Sequence, residues 1–149
     1  MTQSFGPIFV PYAVTCVILC MNLVALWAYS GVIRTVSMIA INPEDGVRFG
    51  APLSETDPPA VARVLRAHRN AEATIYPFLF LGLVYVAVGG KAWIAAPVFA
   101  TFAIARIVHS ICYLRAIQPW RTASFVVSAG AIVTLVVAVM IGIADAIME

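Results

Sequence analysis

The sequence predicts an all-α integral membrane protein, a bundle of four transmembrane helices, and three observations predict it. Of its 149 residues, 62% are hydrophobic and only 11% are charged, whereas a soluble domain carries about 25% charged residues. So few charges cannot keep that much apolar surface in water, so the bilayer has to be the solvent. Four stretches are long and apolar enough to cross hydrocarbon, and the basic residues fall almost wholly on one side of a four-span chain.

The first helix is expected over about 8–34. Residues 8–33 carry no charge and are interrupted only by Asn22 and a few small or aromatic polar residues. At 1.5 Å per residue such a run is roughly 39 Å long, enough for about 30 Å of hydrocarbon with some tilt. Tyr12 and Tyr29 sit near its ends, where amphipathic rings favour the interface. The run lacks a preceding positive segment and is about twice the length of a signal-peptide core, so it reads as a retained span.

A loop over 35–58 follows, with Pro43, Pro52, Pro58, Gly46, Gly50 and most of the acids. It is long for a connector, and such loops tend to carry function. Asp57-Pro58-Pro59 reads as a helix start, with Asp57 as N-cap and proline in the first turn. That second helix runs over 59–88, charged first and then apolar, and Gly89-Gly90-Lys91 closes it. Pro77 inside it predicts a kink of the kind membrane helices tolerate. The third helix covers 93–116, with Arg106 and His109 in its later half, and a short turn around Pro119 leads to the fourth, over 120–147. There Ala138, Gly142 and Ala146 recur every four residues, a stripe for close helix packing. The whole of 1–149 reads as a single domain.

Several function classes fall away at once. A net charge of +2 gives no support to a nucleic-acid partner. Cys16, Cys20 and Cys112 form no CxxC pair and are expected to behave as buried hydrophobes. HExxH, GxxxxGK[ST] and GxSxG are all missing, so a metalloprotease, a nucleotide-driven pump and an α/β-hydrolase lack support, and no metal site is expected. Of nine basic residues, Arg34, Arg48, Arg63, Arg66, Arg69, Arg106, Arg115 and Arg121 fall on one side of the membrane and Lys91 on the other. The positive-inside rule then puts the first and third loops in the cytoplasm and both termini on the opposite side.

Ionisable groups within spans are costly to insert, by about 2.5–3.5 kcal/mol each, and usually face a cavity or a partner. Arg66, Arg69, Asn70 and Ala73 share one face of the second helix by their i, i+3, i+4, i+7 spacing, as Arg106, His109 and Tyr113 do on the third. Arg34 and Arg121 reach the same level from the ends of the first and fourth helices. This layer reads as a preformed pocket for a small anion. Arg63 and Arg115 read instead as snorkelling residues that meet headgroups or anionic lipid, and His68 reads as a structural partner of Glu72 at i+4.

Four blocks at these positions carry a resemblance. They are Arg66-Ala67-His68-Arg69-Asn70 with Thr74-Ile75-Tyr76-Pro77-Phe78-Leu79-Phe80-Leu81-Gly82, Asn42-Pro43-Glu44-Asp45, Arg106-x-x-His109-x-x-x-Tyr113-Leu114, and Pro119-x-Arg121-Thr122. In collinear order over about residues 31–125, they closely resemble the MAPEG family, the membrane-associated proteins of eicosanoid and glutathione metabolism, and most of all its prostaglandin E synthase branch. The resemblance implies a homotrimer of four-helix protomers that binds glutathione between neighbouring subunits near the cytoplasmic side. Carried over by position, the contacts come from Arg34, Arg69, Asn70, His109, Tyr113, Arg121 and Thr122. Arg66 and Arg106 support them, Asp45 pairs with Arg121, and Arg121 and Thr122 are catalytic.

Three positions depart from the family pattern. Ala73 stands where a glutamate is usual, with Glu72 one residue earlier and so rotated by about 100°. Thr122 replaces a serine and keeps the hydroxyl, and Phe125 replaces a tyrosine. The implied activity is that of a glutathione-dependent transferase, peroxidase or prostaglandin-E-synthase-type isomerase. Arg121, the Thr122 hydroxyl and the free N–H groups at the start of the fourth helix would favour the ionised thiol. An apolar small-molecule substrate would arrive from the lipid phase, and conjugation, peroxide reduction and endoperoxide isomerisation all stay open. The alternative readings are a non-catalytic lipid-binding or scaffold member of the same family, and a small structural or channel-like membrane protein.

Overall fold

The computed structural model describes residues 6–148, and the outermost ends of the expected 1–149 domain lie outside them. Five helices form among the described residues: α1 (Phe9–Ser37), α2 (Pro43–Phe49), α3 (Pro59–Ala87), α4 (Ala92–Leu114) and α5 (Trp120–Met148). All but α2 are long and apolar enough to cross a membrane. At 1.5 Å per residue the three 29-residue helices are each roughly 44 Å long, so they project beyond about 30 Å of hydrocarbon.

Two expectations about the first loop are corrected. The segment is not irregular throughout, because α2 forms within it. Pro43 opens α2 with Glu44 and Asp45 in the first turn, and Gly50 caps it at φ 63, the left-handed geometry that glycine adopts without a Cβ clash. Nor is Asp57 an N-cap. Pro58 holds that position without a side-chain cap bond, while Asp57 binds Arg34 at 2.8 Å. The loop is tied back on itself by Ala40 N–H to Pro52 O (3.0 Å) and Ser54 N–H to Ala40 O (2.9 Å).

Helix α4 is the centre of the bundle. It packs against α1, α3 and α5, and α3 likewise meets the other three long helices, whereas α1 and α5 lie apart and do not touch. Aromatic rings fill the space between α3 and α4. Phe78 stacks on Phe102 with centroids 3.7 Å apart and meets Phe99 edge-on at 5.8 Å. Tyr12 of α1 joins them against Phe99, and its hydroxyl donates to Leu79 O at 3.1 Å. The outer faces of α1 and α5 expose valines, isoleucines and methionines along their length, as expected of a lipid-facing surface.

Of the cysteines, Cys112 is buried as expected and Cys16 half-buried. Cys20 is exposed on α1, because it lies on that helix's outer, apolar face. The small-residue stripe packs as expected at Ala138, which is buried, and at Gly142, where an added Cβ would come within 2.9 Å of Val88.

The turn between α3 and α4 is built around Tyr85. Its hydroxyl accepts from Lys91 N–H at 2.8 Å and donates to Lys91 O at 3.3 Å, and a Cβ on Gly90 would collide with the ring. The ring is buried and held at its far end, so it cannot swing aside. Gly90→Ala is therefore expected to destabilise the fold by about 1–3 kcal/mol, the usual range for overpacking. Thermal unfolding in detergent measures it.

Candidate functional site

The polar row of α4 faces inward because α4 is central. Arg106 is 0% exposed, and its Nη2 donates to Oδ1 of Asn70 on α3 at 2.9 Å. One turn on, Ser110 Oγ donates to Arg106 O at 3.0 Å and accepts from Asn22 Nδ2 of α1 at 3.1 Å. Beside it, buried His109 reaches α5, where its Nδ1 lies 2.9 Å from Arg121 O and 3.5 Å from Ser124 Oγ. A carbonyl can only accept, so Nδ1 carries a proton and neutral His109 keeps its lone pair on Nε2. Residues from all four spans thus meet the inward row of α4 in a polar layer, with Asn22, Ser110 and Asn70 around Arg106 and the α5 groups Arg121 and Ser124 around His109.

This layer is unfinished. Arg106 Nε, Arg106 Nη1 and His109 Nε2 are buried without a partner among the described residues. Leaving a buried donor or acceptor unpaired costs about 1–3 kcal/mol each. Two cationic donors and one imidazole acceptor, held in place by bonds from their other sides, suit an anionic guest that also offers an N–H.

The start of α5 carries Arg121 and Thr122. The Arg121 guanidinium lies over the Tyr113 ring at 5.0 Å, a cation–π arrangement. Thr122, next along, is exposed. Phe125 places its ring 6.1 Å from that of His109. Two N–H groups of this turn are already used, Arg121 N–H by Ile117 O at 3.2 Å and Ala123 N–H by Pro119 O at 3.0 Å. The first turn is therefore less open to an anion than expected, and the side chains matter more.

Not every expected site residue joins this layer. Arg66 and Arg69 are exposed on α3 and make no ion pair among the described residues, so they stand free. Glu72 is held by His68 at 3.4 Å, the pairing expected from their spacing, and by the Tyr76 hydroxyl at 3.5 Å. Arg34 and Asp45 instead line a cleft of about 380 Å³ between the end of α1 and α2, with Thr35 and Phe49. Asp45 accepts from Asn42 Nδ2 at 3.1 Å and makes no ion pair with Arg121 within the chain.

Among the described residues, Arg34 and Arg121 are not brought together. The reason is topological: α1 and α5 sit across the bundle from each other, so Arg34 and Arg121 cannot meet inside it.

A family model described as the MAPEG family matches residues 12–141. The chain belongs to the MAPEG family. This MAPEG chain is similar to a prostaglandin E synthase of Macaca fascicularis, 39% identical over 72% of the chain and 75% of the relative. It is similar to that of Homo sapiens at 38% over 72% and 75%. It is also similar to microsomal glutathione S-transferase 1 of Homo sapiens, 35% identical over 83% of each chain. The resemblance carried by the four sequence blocks is thereby confirmed.

Sequence reasoning passed over three members of this polar layer, Asn22, Ser110 and Ser124, and it passed over Gln118, whose amide lies beside Arg121 and Thr122. Ser110 sits four residues after Arg106 and Gln118 three before Arg121, spacings that place each beside a residue already singled out. Asn22 was visible as the one amide in an apolar run, but its partner was not.

Proposed function

We propose that this MAPEG protein is a membrane-embedded glutathione-dependent transferase or isomerase that favours the ionised glutathione thiol. Its second substrate is an apolar electrophile, peroxide or endoperoxide. The observation that carries the reading is the buried trio Arg106 Nε, Arg106 Nη1 and His109 Nε2, left without a partner beside Asn70 and tied to the turn that bears Arg121 and Thr122. Glutathione fits this donor set. Its two carboxylates suit Arg106 and the free guanidinium groups of Arg66 and Arg69, and its amide and amino N–H groups suit His109 Nε2. When bound, glutathione supplies the sulfur nucleophile.

The residues of the chain then have separate tasks. Asn70 and Arg106 orient, Tyr113 supports the Arg121 guanidinium from below, and Arg121 and Thr122 face the sulfur. A free thiol of this type has a pKa near about 8.5, so only a few per cent is ionised at neutral pH. A cation and a hydroxyl donor beside the sulfur both lower that value. The relatives are named a prostaglandin E synthase and a microsomal glutathione S-transferase, and the exposed apolar faces of the bundle allow the second substrate to enter from lipid.

A homotrimer belongs to the same proposal. The separation of α1 from α5 leaves the Arg34–Asp45 cleft unable to meet Arg121 within one chain, and a neighbouring copy can bring the two together. Asp45 would then pair with Arg121 of the adjoining subunit. The first and third loops face the cytoplasm in this arrangement, with both termini opposite, because charged glutathione and the arginines then share one side.

Turnover of a small panel tests the activity: a chloronitrobenzene, a lipid hydroperoxide and a prostaglandin endoperoxide. At least one is expected to be consumed only with glutathione. Thr122→Ala should slow that turnover at least about tenfold, since a hydrogen bond to a charged group is worth about 1.5–3 kcal/mol. No glutathione-dependent turnover of any of the three, with wild-type protein folded, contradicts the proposal.

A further inference from the structure

Gln118 lies on the α4–α5 linker, one turn before Arg121 and Thr122, and its amide sits between them. A guanidinium offers only donors, so the amide oxygen has to face it. In that orientation Gln118 Oε1 accepts from Arg121 Nη2 at 2.7 Å and from Arg121 Nε at 3.2 Å, while its nitrogen donates to Thr122 Oγ1 at 3.1 Å. Reversing the amide would set N–H against N–H at Arg121 and would make Thr122 spend its own proton on Gln118.

Two consequences follow from this orientation. Thr122 receives a hydrogen bond, so its single hydroxyl proton stays free for another acceptor, and accepting from an amide polarises that O–H further. Arg121 is gripped on two nitrogens by a neutral group, so its position is fixed and its charge is not cancelled. A carboxylate in the same place would hold Arg121 more tightly, but it would neutralise the charge and compete for the Thr122 proton.

We propose that Gln118 is a positioning residue, a neutral clamp that aims Arg121 and Thr122 at a bound thiol while leaving the charge and the proton available to it. This rests on the reading of Arg121 and Thr122 as the pair that favours the ionised sulfur. The other titratable groups around Arg121 are Tyr113, whose ring lies beneath it, and His109, bonded to its carbonyl. Neither is hydrogen-bonded to Gln118, whose partners are Arg121 and Thr122.

Gln118→Glu decides the matter because it keeps the shape. Were Gln118 only structural, a glutamate would bind Arg121 at least as well and would not lower the melting temperature, and Gln118→Met would leave the thiolate titration where it is in wild type. The clamp requires the opposite chemistry with the same folding. The measurement is a pH titration of the ultraviolet thiolate absorbance of glutathione bound to purified full-length protein, with melting temperature and glutathione Kd recorded alongside. Gln118→Glu is expected to melt no lower than wild type and to titrate about one pH unit higher, a tenfold smaller thiolate fraction at neutral pH. Turnover should recover as pH rises. Gln118→Met, which fills similar space without gripping Arg121, should also titrate upward.

A wild-type thiolate signal that neither variant moves overturns the clamp and leaves the functional reading standing. Wild-type protein that binds glutathione with no thiolate signal overturns both.

Discussion

Arg121→Ala is expected to abolish glutathione-dependent turnover, a loss of at least about a hundredfold, comparable with removing one preorganised donor from an oxyanion site. The position is prepared for charge. The guanidinium lies over Tyr113 at 5.0 Å, and Gln118 accepts from its Nη2 and Nε. Without the cation the thiol returns toward its ordinary value, and each pKa unit regained is worth about 1.4 kcal/mol of lost thiolate.

Arg121→Lys separates charge from shape. A lysine keeps the charge but cannot offer two nitrogens to one oxygen in a fixed fork, so it should fall between wild type and alanine. Parallel glutathione titrations check the cause, because a defect confined to turnover with an unchanged Kd points to the thiol. Wild-type rates in Arg121→Ala would remove this explanation of thiol activation.

Arg106→Met is expected to separate stability from function. The guanidinium is fully buried and makes one side-chain hydrogen bond, to Asn70, with two nitrogens left unpaired. A buried charge without a counter-charge is costly to desolvate, so a hydrophobic residue of similar volume relieves that cost. The variant should therefore melt at or above wild type without glutathione. Wild type should gain about 2.7 kcal/mol at a glutathione concentration of one hundred times Kd, and the variant should gain none.

Asn70→Leu provides the complementary case, since it leaves the buried guanidinium with no side-chain partner. It should destabilise by about 1–3 kcal/mol. If Arg106→Met instead melts well below wild type, the two nitrogens already have a structural use and are not waiting for a ligand.

Much of the architecture was legible because bilayer thickness and helical rise fix what a span must look like, and the four spans appear where the long apolar stretches stand. Two misreadings came from proline. Pro43 was counted with Pro52 and Pro58 as a mark of irregular chain, although Pro43-Glu44-Asp45 closed by Gly50 is itself a helix signal. Asp57 beside two prolines looked like a cap, yet Arg34, twenty-three residues earlier, gives its carboxylate a charged partner.

The site was legible one helix at a time. Spacing along α4 correctly grouped Arg106, His109 and Tyr113, and the spacing of His68 and Glu72 gave their pairing. Which helices are neighbours is not written in any single helix, so spacing set Arg34 and Arg121 at one level without showing that α1 and α5 lie apart. For the same reason the Asn22–Ser110 bond could not be foreseen.

The most direct test is a difference spectrum recorded as glutathione is added at neutral pH to the purified protein in detergent. The expected result is a thiolate absorbance that rises and saturates with glutathione, and that is missing in Arg121→Ala. Folded wild-type protein that shows no such signal at any glutathione concentration would contradict the claim that this polar layer binds glutathione and favours its ionised sulfur.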